Sequence, residues 1–277
     1  MPSPASTVAD RQTHAIGDGA GPAETGEPAA PTRPADGDFT WPAGMLVLIP
    51  VYNHGRTVAR IAREALELGA PVLVIDDGST DGSGDAAAAV GAEVVRLEPN
   101  QGKARALSHG MALAEEQGYD RVLTCDADGQ HPISEVERVA RGASDPRALY
   151  LGCRDMRGAP GISRFGRFCS NFWSWVMCGI WLGDTQSGLR VYPLPAVNRL
   201  RVRAGRYSFE IEVLIRAGWS RIAVHPIAVG VLYPEDRVSH FNKFTDNLRP
   251  FGLFARLLLT RLAPGRRRLR LDDETHT

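Results

Sequence analysis

The sequence predicts an α/β protein with a mostly parallel sheet that is covered by helices on both faces. Short apolar runs alternate with segments of helical periodicity over about 110 residues. Strands that alternate with helices pair in parallel, because each helix returns the chain to the same end of the sheet. Acidic clusters follow two of the apolar runs, at the sheet edge where ligands bind in such folds.

Five short apolar runs, bounded by turn residues, are predicted as the strands of this sheet. They are Met45–Val51, Val72–Ile75, Glu93–Leu97, Arg121–Cys125 and Ala148–Gly152. Between them, apolar residues recur at helical spacing and predict four helices, Thr57–Leu68, Asp81–Val90, Lys103–Gln117 and Pro132–Arg141. Later in the chain, Phe209–Ala217 predicts a helix, and the alternation in 222–229 predicts a strand.

The two ends of the chain differ from this organised middle. Residues 1–43 are rich in Pro, Ala, Gly and acidic residues and nearly free of large apolar side chains, which predicts a disordered tail. Residues 44–241 form the predicted α/β domain. Residues 242–277 combine an amphipathic helix at 248–262 with a basic tail. That helix favours either a membrane interface or ordinary core packing.

Composition excludes several classes of protein. The 277 residues include 43% hydrophobic and 23% charged residues, as in soluble globular chains. The formal net charge is zero, which argues against a nucleic-acid partner. No segment has the roughly 18 to 20 apolar residues of a membrane span. The segment 168–182 comes nearest, and its tryptophans predict an interfacial or substrate-facing helix, or else a buried one.

The pair Asp126 and Asp128 follows a predicted apolar strand, with Ala127 between them. Two carboxylates so close repel each other unless a cation joins them. Mg²⁺ takes one or two carboxylates and completes its shell with phosphate oxygens and water. Gln130 and His131 follow directly and are further ligand candidates. A solvated acidic turn is the alternative.

A second acidic pair, Asp76 and Asp77, ends another predicted strand. A carboxylate there can accept hydrogen bonds from a nucleobase or a ribose hydroxyl, and Gly78 allows close backbone approach. The helix that starts near Lys103 offers free N–H groups and an ammonium to an anion. A strand–turn–helix cap and a plain helix start are the alternatives. No GxxxxGK[ST] loop and no GxGxxG helix start occurs in the sequence.

Five ordered motifs resemble those of family 2 glycosyltransferases with the GT-A fold, a Rossmann-like α/β fold. They are Pro50-Val51-Tyr52-Asn53, Asp76-Asp77-Gly78-Ser79, Asn100-x-Gly102-Lys103, Asp126-Ala127-Asp128-x-Gln130-His131-Pro132 and Asp184-Thr185-Gln186-Ser187-Gly188-Leu189-Arg190. The chain is most similar to polyprenyl-phosphate or dolichol-phosphate mannose or glucose synthases. The segment 233–241 is similar to family 2 members encoded with aryl-polyene pigment genes, so the acceptor stays open.

This resemblance implies a GT-A domain over residues 44–241 and a role for each motif. The implied donor site for a UDP- or GDP-sugar comprises Pro50, Tyr52, Asn53, Asp76, Asp77, Lys103 and Asp126. The implied ligands of Mg²⁺ or Mn²⁺ are Asp126, Asp128 and Gln130. The implied acceptor site comprises Arg154, Arg164, Ser187 and Arg190, because arginine suits a phosphate.

The resemblance also implies transfer with inversion at the anomeric carbon, with a metal taking up charge on the leaving diphosphate. A phosphate acceptor is already ionised and needs no strong base, whereas a hydroxyl acceptor needs a carboxylate to remove its proton. Asp184 and Glu210 are the catalytic candidates for that task. Their structural alternatives are a turn cap and a stabilising acid in the first turn of a helix.

We expect a transferase that acts on a lipid-linked acceptor, located in the cytoplasm or peripherally on the cytosolic face of the cell membrane. A hydroxyl of a glycolipid or aryl-polyene-type lipid is the alternative acceptor. A sugar-1-phosphate nucleotidyltransferase would need a GxGxR-type loop where this chain reads IPVYNHGRT. A non-catalytic nucleotide-sugar binding protein is the alternative of another class, and the intact DxDxQ motif argues against it.

Overall fold

The computed structural model describes residues 39–154, 161–200, 202–203, 208–230 and 252–259, with the side chains of 161–166 excepted. Seven strands are described. They are β1 (Met45–Val51), β2 (Val72–Asp76), β3 (Glu93–Arg96), β4 (Arg121–Thr124), β5 (Leu149–Arg154), β6 (Arg190–Pro193) and β7 (Val224–Val229). The five strands predicted in the first half of the domain therefore form, with ends that shift by one or two residues.

Helices fill the connections between these strands. They are α1 (Gly55–Glu67), α2 (Ser83–Ala88), α3 (Lys103–Glu116), α4 (Ile133–Gly142), α5 (Gly161–Cys178), α6 (Leu194–Asn198) and α7 (Phe209–Trp219), with α8 over residues 252–259. The second helix is shorter than predicted, because Gly82 takes a left-handed conformation ahead of its first turn. The predicted amphipathic helix at 248–262 is described over its central eight residues.

The strands form one seven-stranded sheet in the order β3-β2-β1-β4-β6-β5-β7. β1 pairs in parallel with β2 on one side and with β4 on the other. β2 and β3 pair in parallel, as do β5 and β7. The prediction of a mostly parallel sheet is confirmed, and the acidic loops after β2 and β4 lie at the same edge.

Strand β6 is the departure from this pattern. It runs antiparallel to both β4 and β5, between which it inserts. This strand was not predicted from the sequence, and its place in the sheet is set by pairing with β4 and β5. Its insertion brings the loop before Arg190 against the carboxyl end of β4.

Helices cover both faces of the sheet, as predicted. On one face, β1 residues such as Val47 and Ile49 pack with α1 and α4 through Ile61 and Val139. On the other face, Leu48 and its neighbours pack with α3, α6 and α7. Because β1 is buried at all seven positions, both faces of the sheet are sealed from water around it.

The packed part of the chain begins before the predicted domain start at residue 44. Trp41 is 9% exposed and belongs to the main core, and its indole N–H donates to the Met45 carbonyl at 2.7 Å. Phe39 packs edge-on against Trp41. Most of the predicted tail, residues 1–38, lies outside the described residues. Among those described, no helix is both long and apolar enough to cross a membrane.

Candidate active site

A cavity of about 430 Å³ opens at the carboxyl edge of the sheet. Its volume lies within the range of small-ligand sites. It is lined by Pro50, Val51, Tyr52, His54, Asp77, Asn100, Gly102, Lys103, Ala106, Asp126, Ala127 and Asp128. The loops after β1, β2 and β4 thus converge on one cavity, as ligand-binding α/β sheets arrange them.

The loop after β4 presents its two carboxylates to this cavity. The carboxylate of Asp128 accepts hydrogen bonds from the backbone N–H of Gln130 at 3.0 Å and from the Gln130 side-chain amide. Gln130 is itself buried and does not line the cavity. The structure therefore places Gln130 behind Asp128, where it orients the carboxylate, rather than beside it as a third open ligand.

Lys103, the first residue of α3, bridges two acids that come from different elements. Its Nζ lies 2.7 Å from Oδ1 of Asp126 and 2.8 Å from Oε1 of Glu210. The second oxygen of Glu210 is buried and has no hydrogen-bond partner among the described residues. The predicted catalytic acid on α7 is therefore joined to the DxD loop through one ammonium group.

The ion pairs of Lys103 determine which of these groups are charged. Burial lowers the pKa of Lys103, but the charges of Asp126 and Glu210 outweigh burial and raise that pKa above its usual value. Burial alone would raise the pKa of Asp126. The charge and hydrogen bond of Lys103 have the larger effect, so the pKa of Asp126 is lowered. Both groups are charged at neutral pH, which leaves Asp128 as the carboxylate of the loop without a cationic partner in the described residues.

The acids after β2 hold loops together. Asp77 accepts the backbone N–H groups of Gln101 and Gly102 at 2.8 and 2.7 Å, and so fixes the start of α3 at the cavity wall. Asp76 accepts the backbone N–H of Ser79 and lies 3.8 Å from the guanidinium of Arg96. Asp77 lines the cavity, whereas the predicted donor residue Asp76 does not.

The residues of the motif after β1 also differ in whether they line the cavity. Pro50 and Tyr52 line the cavity, as the resemblance implies. Asn53 instead ties this loop to the next one, since its Oδ1 accepts the Thr80 N–H at 2.9 Å and its own N–H donates to Ser79. Its φ of 55° is a conformation that asparagine tolerates better than most residues. Asn53 therefore supports the cavity without lining it.

Asp184, the other predicted catalytic acid, is fully buried between two arginines. Its Oδ2 lies 2.6 Å from Nε of Arg154 and 2.8 Å from Nη1 of Arg167, and its Oδ1 accepts from Arg154 at 3.1 Å. Burial raises the pKa of Asp184, but the two guanidinium groups outweigh it and lower that pKa below its usual value. This geometry suits an ion-paired support better than an open general base.

Two predicted acceptor residues, Arg190 and Ser187, are buried and hydrogen-bonded within the protein. Arg190 is 0% exposed, and its guanidinium donates to the backbone carbonyls of Ser187, Glu210 and Thr185 at 2.7 to 2.9 Å. Ser187 is equally buried, and its hydroxyl accepts the Leu189 N–H. Both side chains shape the loop before β6, and neither lines the cavity.

Arg164 was predicted from the sequence as an acceptor residue, whereas Arg167, which lies three residues later on α5, was not. The side chain of Arg164 lies outside the described residues. The i, i+3 spacing on one helix was the signal that could have pointed to Arg167. Asn171, on the same face of α5, was also missed, and its amide bonds Thr185 and Gly183.

Comparisons with known proteins agree with this arrangement. Residues 46–174 match the family described as Glycosyl transferase family 2. The chain is 24% identical over 242 residues to a UDP-N-acetylglucosamine–dolichyl-phosphate N-acetylglucosaminyltransferase of Methanococcus voltae, over 78% of this chain and 95% of that protein. It is 27% identical over 208 residues to an undecaprenyl-phosphate mannosyltransferase of Micrococcus luteus, over 69% and 84%.

A solved structure of similar fold is the glucosyl-3-phosphoglycerate synthase from Mycobacterium tuberculosis in complex with Mn²⁺, UDP-glucose and phosphoglyceric acid. It matches with a TM-score of 0.58 and 21% identity, over 78% of this chain and 79% of that one. At that identity the likeness concerns the fold alone. Residues 46–174 of this chain thus match a family 2 glycosyltransferase domain, and the relatives named as glycosyltransferases are similar to the chain over most of its length.

Proposed function

We propose that this protein transfers a sugar from a nucleoside diphosphate sugar to a lipid-linked phosphate, with a divalent cation and with inversion at the anomeric carbon. The observation that carries the proposal is the cavity at the carboxyl edge of the sheet, where Asp77, Lys103 and Asp128 converge. The names of the relatives from Methanococcus voltae and Micrococcus luteus support a polyprenyl- or dolichyl-type phosphate as acceptor.

The donor set of the DxD loop fits Mg²⁺ or Mn²⁺. Asp128 and Asp126 offer carboxylate oxygens to the cavity, and Gln130 orients Asp128 from behind. The described residues contain no group of three acidic, His or Cys side chains that would enclose a metal. Two carboxylates suit an ion that takes its other ligands from phosphates and water. When bound, such an ion would neutralise charge on the leaving diphosphate.

The chain's own residues place the donor and limit the charge around it. The Asp77 carboxylate holds the start of α3, so that Asn100 and Gly102 form one wall of the cavity. Lys103 compensates Asp126 and Glu210, which would otherwise repel a diphosphate. We infer that the diphosphate lies between Lys103 and Asp128.

The state of the two buried acids favours a phosphate acceptor over a hydroxyl. Asp184 is held by Arg154 and Arg167, and Glu210 is held by Lys103. Both carboxylates are buried and ion-paired, and a lowered pKa makes Asp184 a weak base. An acceptor phosphate is ionised before it arrives, so its oxygen attacks without a base. The glycolipid-hydroxyl alternative would require one of these ion pairs to open.

A transfer assay tests the proposal. The full chain would be incubated with UDP-glucose, UDP-N-acetylglucosamine or GDP-mannose, together with Mn²⁺ and undecaprenyl phosphate, and the lipid product identified by mass spectrometry. We expect a glycosyl phospholipid from one donor. Asp128→Asn is expected to lower turnover by about 100-fold, because it weakens a carboxylate ligand of the cation that would neutralise the leaving diphosphate.

The matched control is Asp85→Asn, which makes the same change at a side chain that is 79% exposed and outside the cavity. It should leave turnover near that of the unchanged protein. Full turnover in Asp128→Asn would contradict the assignment of the site. Transfer to a glycolipid hydroxyl but not to the lipid phosphate would contradict the acceptor class alone.

A further inference from the structure

Helix α5 has the opposite polarity from that expected of a helix at a protein surface. Surface helices bury apolar residues and expose polar ones. From Phe168 onwards every exposed side chain of α5 is apolar: Phe168, Phe172, Trp173, Trp175 and Val176. Its buried side is mainly polar, with Arg167, Ser170, Asn171, Ser174 and Met177. No charged residue occurs in the sequence from 168 to 183.

The polar side chains of α5 bind the loop that contains Asp184. Arg167 binds Asp184, the Ser170 hydroxyl lies 2.9 Å from that of Thr185, and Asn171 bonds the same loop. These contacts fix the orientation of the helix. The aromatic face therefore points away from the loop that it supports and out towards solvent.

The exposed rings form one continuous surface, which we call the aromatic patch: Phe168, Phe172, Trp173, Trp175 and Trp181. Ring centroids 5.7 to 6.5 Å apart connect its members to one another. Trp175 is 44% exposed and Trp181 is 54% exposed. A contiguous exposed surface of this kind marks an interaction site rather than scattered surface apolarity.

The patch continues onto α8. Phe254 stacks on Trp173 with 6.1 Å between ring centroids, and Leu257 is buried against α5 and α7. One step further along α8, Leu258 and Leu259 are 47% and 70% exposed. Arg256 anchors α8 through an ion pair with the buried Glu212, so the exposed leucines stay beside the patch.

We propose that the aromatic patch and the exposed leucines of α8 bind the surface of an anionic lipid bilayer. Tryptophan is the side chain most enriched at membrane interfaces, and a face of aromatic and leucine side chains without charge suits shallow insertion. Basic residues follow Leu259 in the sequence, between residues 261 and 270. They are Arg261, Arg266, Arg267, Arg268 and Arg270. Such a run attracts acidic headgroups.

Charge complementarity distinguishes this partner from a second protein. A lipid surface offers an apolar layer beneath a negative one, which matches an uncharged aromatic face followed by arginines. The inference does not depend on the donor or the acceptor proposed above, because lipid binding needs neither. It does place the bilayer against the helix that holds Asp184.

Flotation with vesicles tests the inference. The full chain would be mixed with vesicles of equal parts phosphatidylglycerol and phosphatidylcholine, with no nucleotide present. Binding is expected, and acyl chains brominated near the headgroup should quench the tryptophan fluorescence. The double substitution Trp175→Ser with Trp181→Ser should weaken partitioning by at least about tenfold, because two large apolar side chains no longer insert.

A matched control replaces Arg63 and Glu116 by serine. Both are exposed residues of α1 and α3, and their joint replacement leaves the net charge unchanged. Circular dichroism checks that both variants fold, and the control should bind vesicles as the unchanged protein does. Absence of vesicle binding, or binding without quenching, would overturn the inference. So would self-association without vesicles that the tryptophan substitutions abolish, because the patch would then be a contact between copies.

Discussion

The carboxylates of the site differ in how far their neighbours leave them open to a ligand. Asp128 faces the cavity with only Gln130 behind it, whereas Asp126 shares Lys103 with Glu210. Asp184 is enclosed by Arg154 and Arg167. Carboxylates that look alike in the sequence therefore differ in their surroundings: Asp128 is open to a ligand, Asp126 lines the cavity but shares an ammonium group, and Asp184 holds the site together.

The pairing of Asp184 predicts a pH-dependent loss of stability. Asp184→Asn removes the buried carboxylate that binds both Arg154 and Arg167, which should lower the free energy of unfolding by about 3 to 5 kcal/mol at neutral pH. The pKa of Asp184 is lowered in the folded state from a usual value of 3.8. Its contribution is therefore complete above that value and is lost as the pH falls through the folded pKa. Denaturant unfolding of both proteins across this range measures it.

The same measurement on Asp85→Asn provides the comparison, since Asp85 is largely exposed. We expect that variant to unfold much like the unchanged protein at every pH. Equal stability of Asp184→Asn and the unchanged protein at neutral pH would contradict the role assigned to these ion pairs.

At this scale the sequence identified residue types but not their contacts. Asp77, Lys103, Asp126 and Asp128 were all selected, because acids and a lysine near strand ends suit a phosphate ligand, and all four line the cavity. For the other predicted site residues, burial decided whether the side chain lines the cavity. Arg190 was selected for its charge, but the turn before β6 buries its guanidinium among backbone carbonyls.

Among the elements, the helix α3 approaches the sheet closely at Gly110. A Cβ atom at Gly110 would lie 3.0 Å from Ile75 and closer still to Leu48. The missing side chain lets α3 sit directly on β1 and β2. Since Lys103 begins this helix, the approach also determines how far its ammonium reaches into the cavity.

Substitutions at this contact and on the exposed side of the same helix should distinguish the effect of packing on stability from the effect of helix propensity. Gly110→Val is expected to lower the free energy of unfolding by about 1 to 3 kcal/mol, because the added side chain overpacks the interface. Ala112→Val on the exposed side of the same helix should cost about 0.5 kcal/mol, from propensity alone. Thermal or denaturant unfolding measures both. Equal effects of the two substitutions would contradict the close packing of α3.

The elements that sequence patterns predicted have a clear apolar pattern. The strands β1 to β5 are short apolar runs between turn residues, and the helices between them repeat apolar residues at spacings of three to four. The strand β6 and the helix α6, of four and five residues, were not predicted. The antiparallel insertion of β6 between β4 and β5 is set by tertiary pairing.

For the whole molecule, the boundary of the folded part can be tested by shortening the chain. A chain that begins at Phe39 keeps Trp41 and should unfold at the same temperature as the full chain. A chain that begins at residue 44 loses the buried Trp41 and its hydrogen bond to Met45, which should cost about 3 kcal/mol. Scanning calorimetry compares them. Equal stability of the two shortened chains would contradict the role of Trp41.

The central claim is that the cavity between the loops after β1, β2 and β4 binds a nucleotide sugar with a divalent ion. Titration calorimetry of UDP- and GDP-sugars, with Mn²⁺ and with chelator, tests it most directly. The account predicts binding of one nucleotide class that requires the ion and is lost in Asp128→Asn but kept in Asp85→Asn. A folded protein that binds no nucleotide sugar, or that binds one equally well with chelator and with Asp128→Asn, would contradict it.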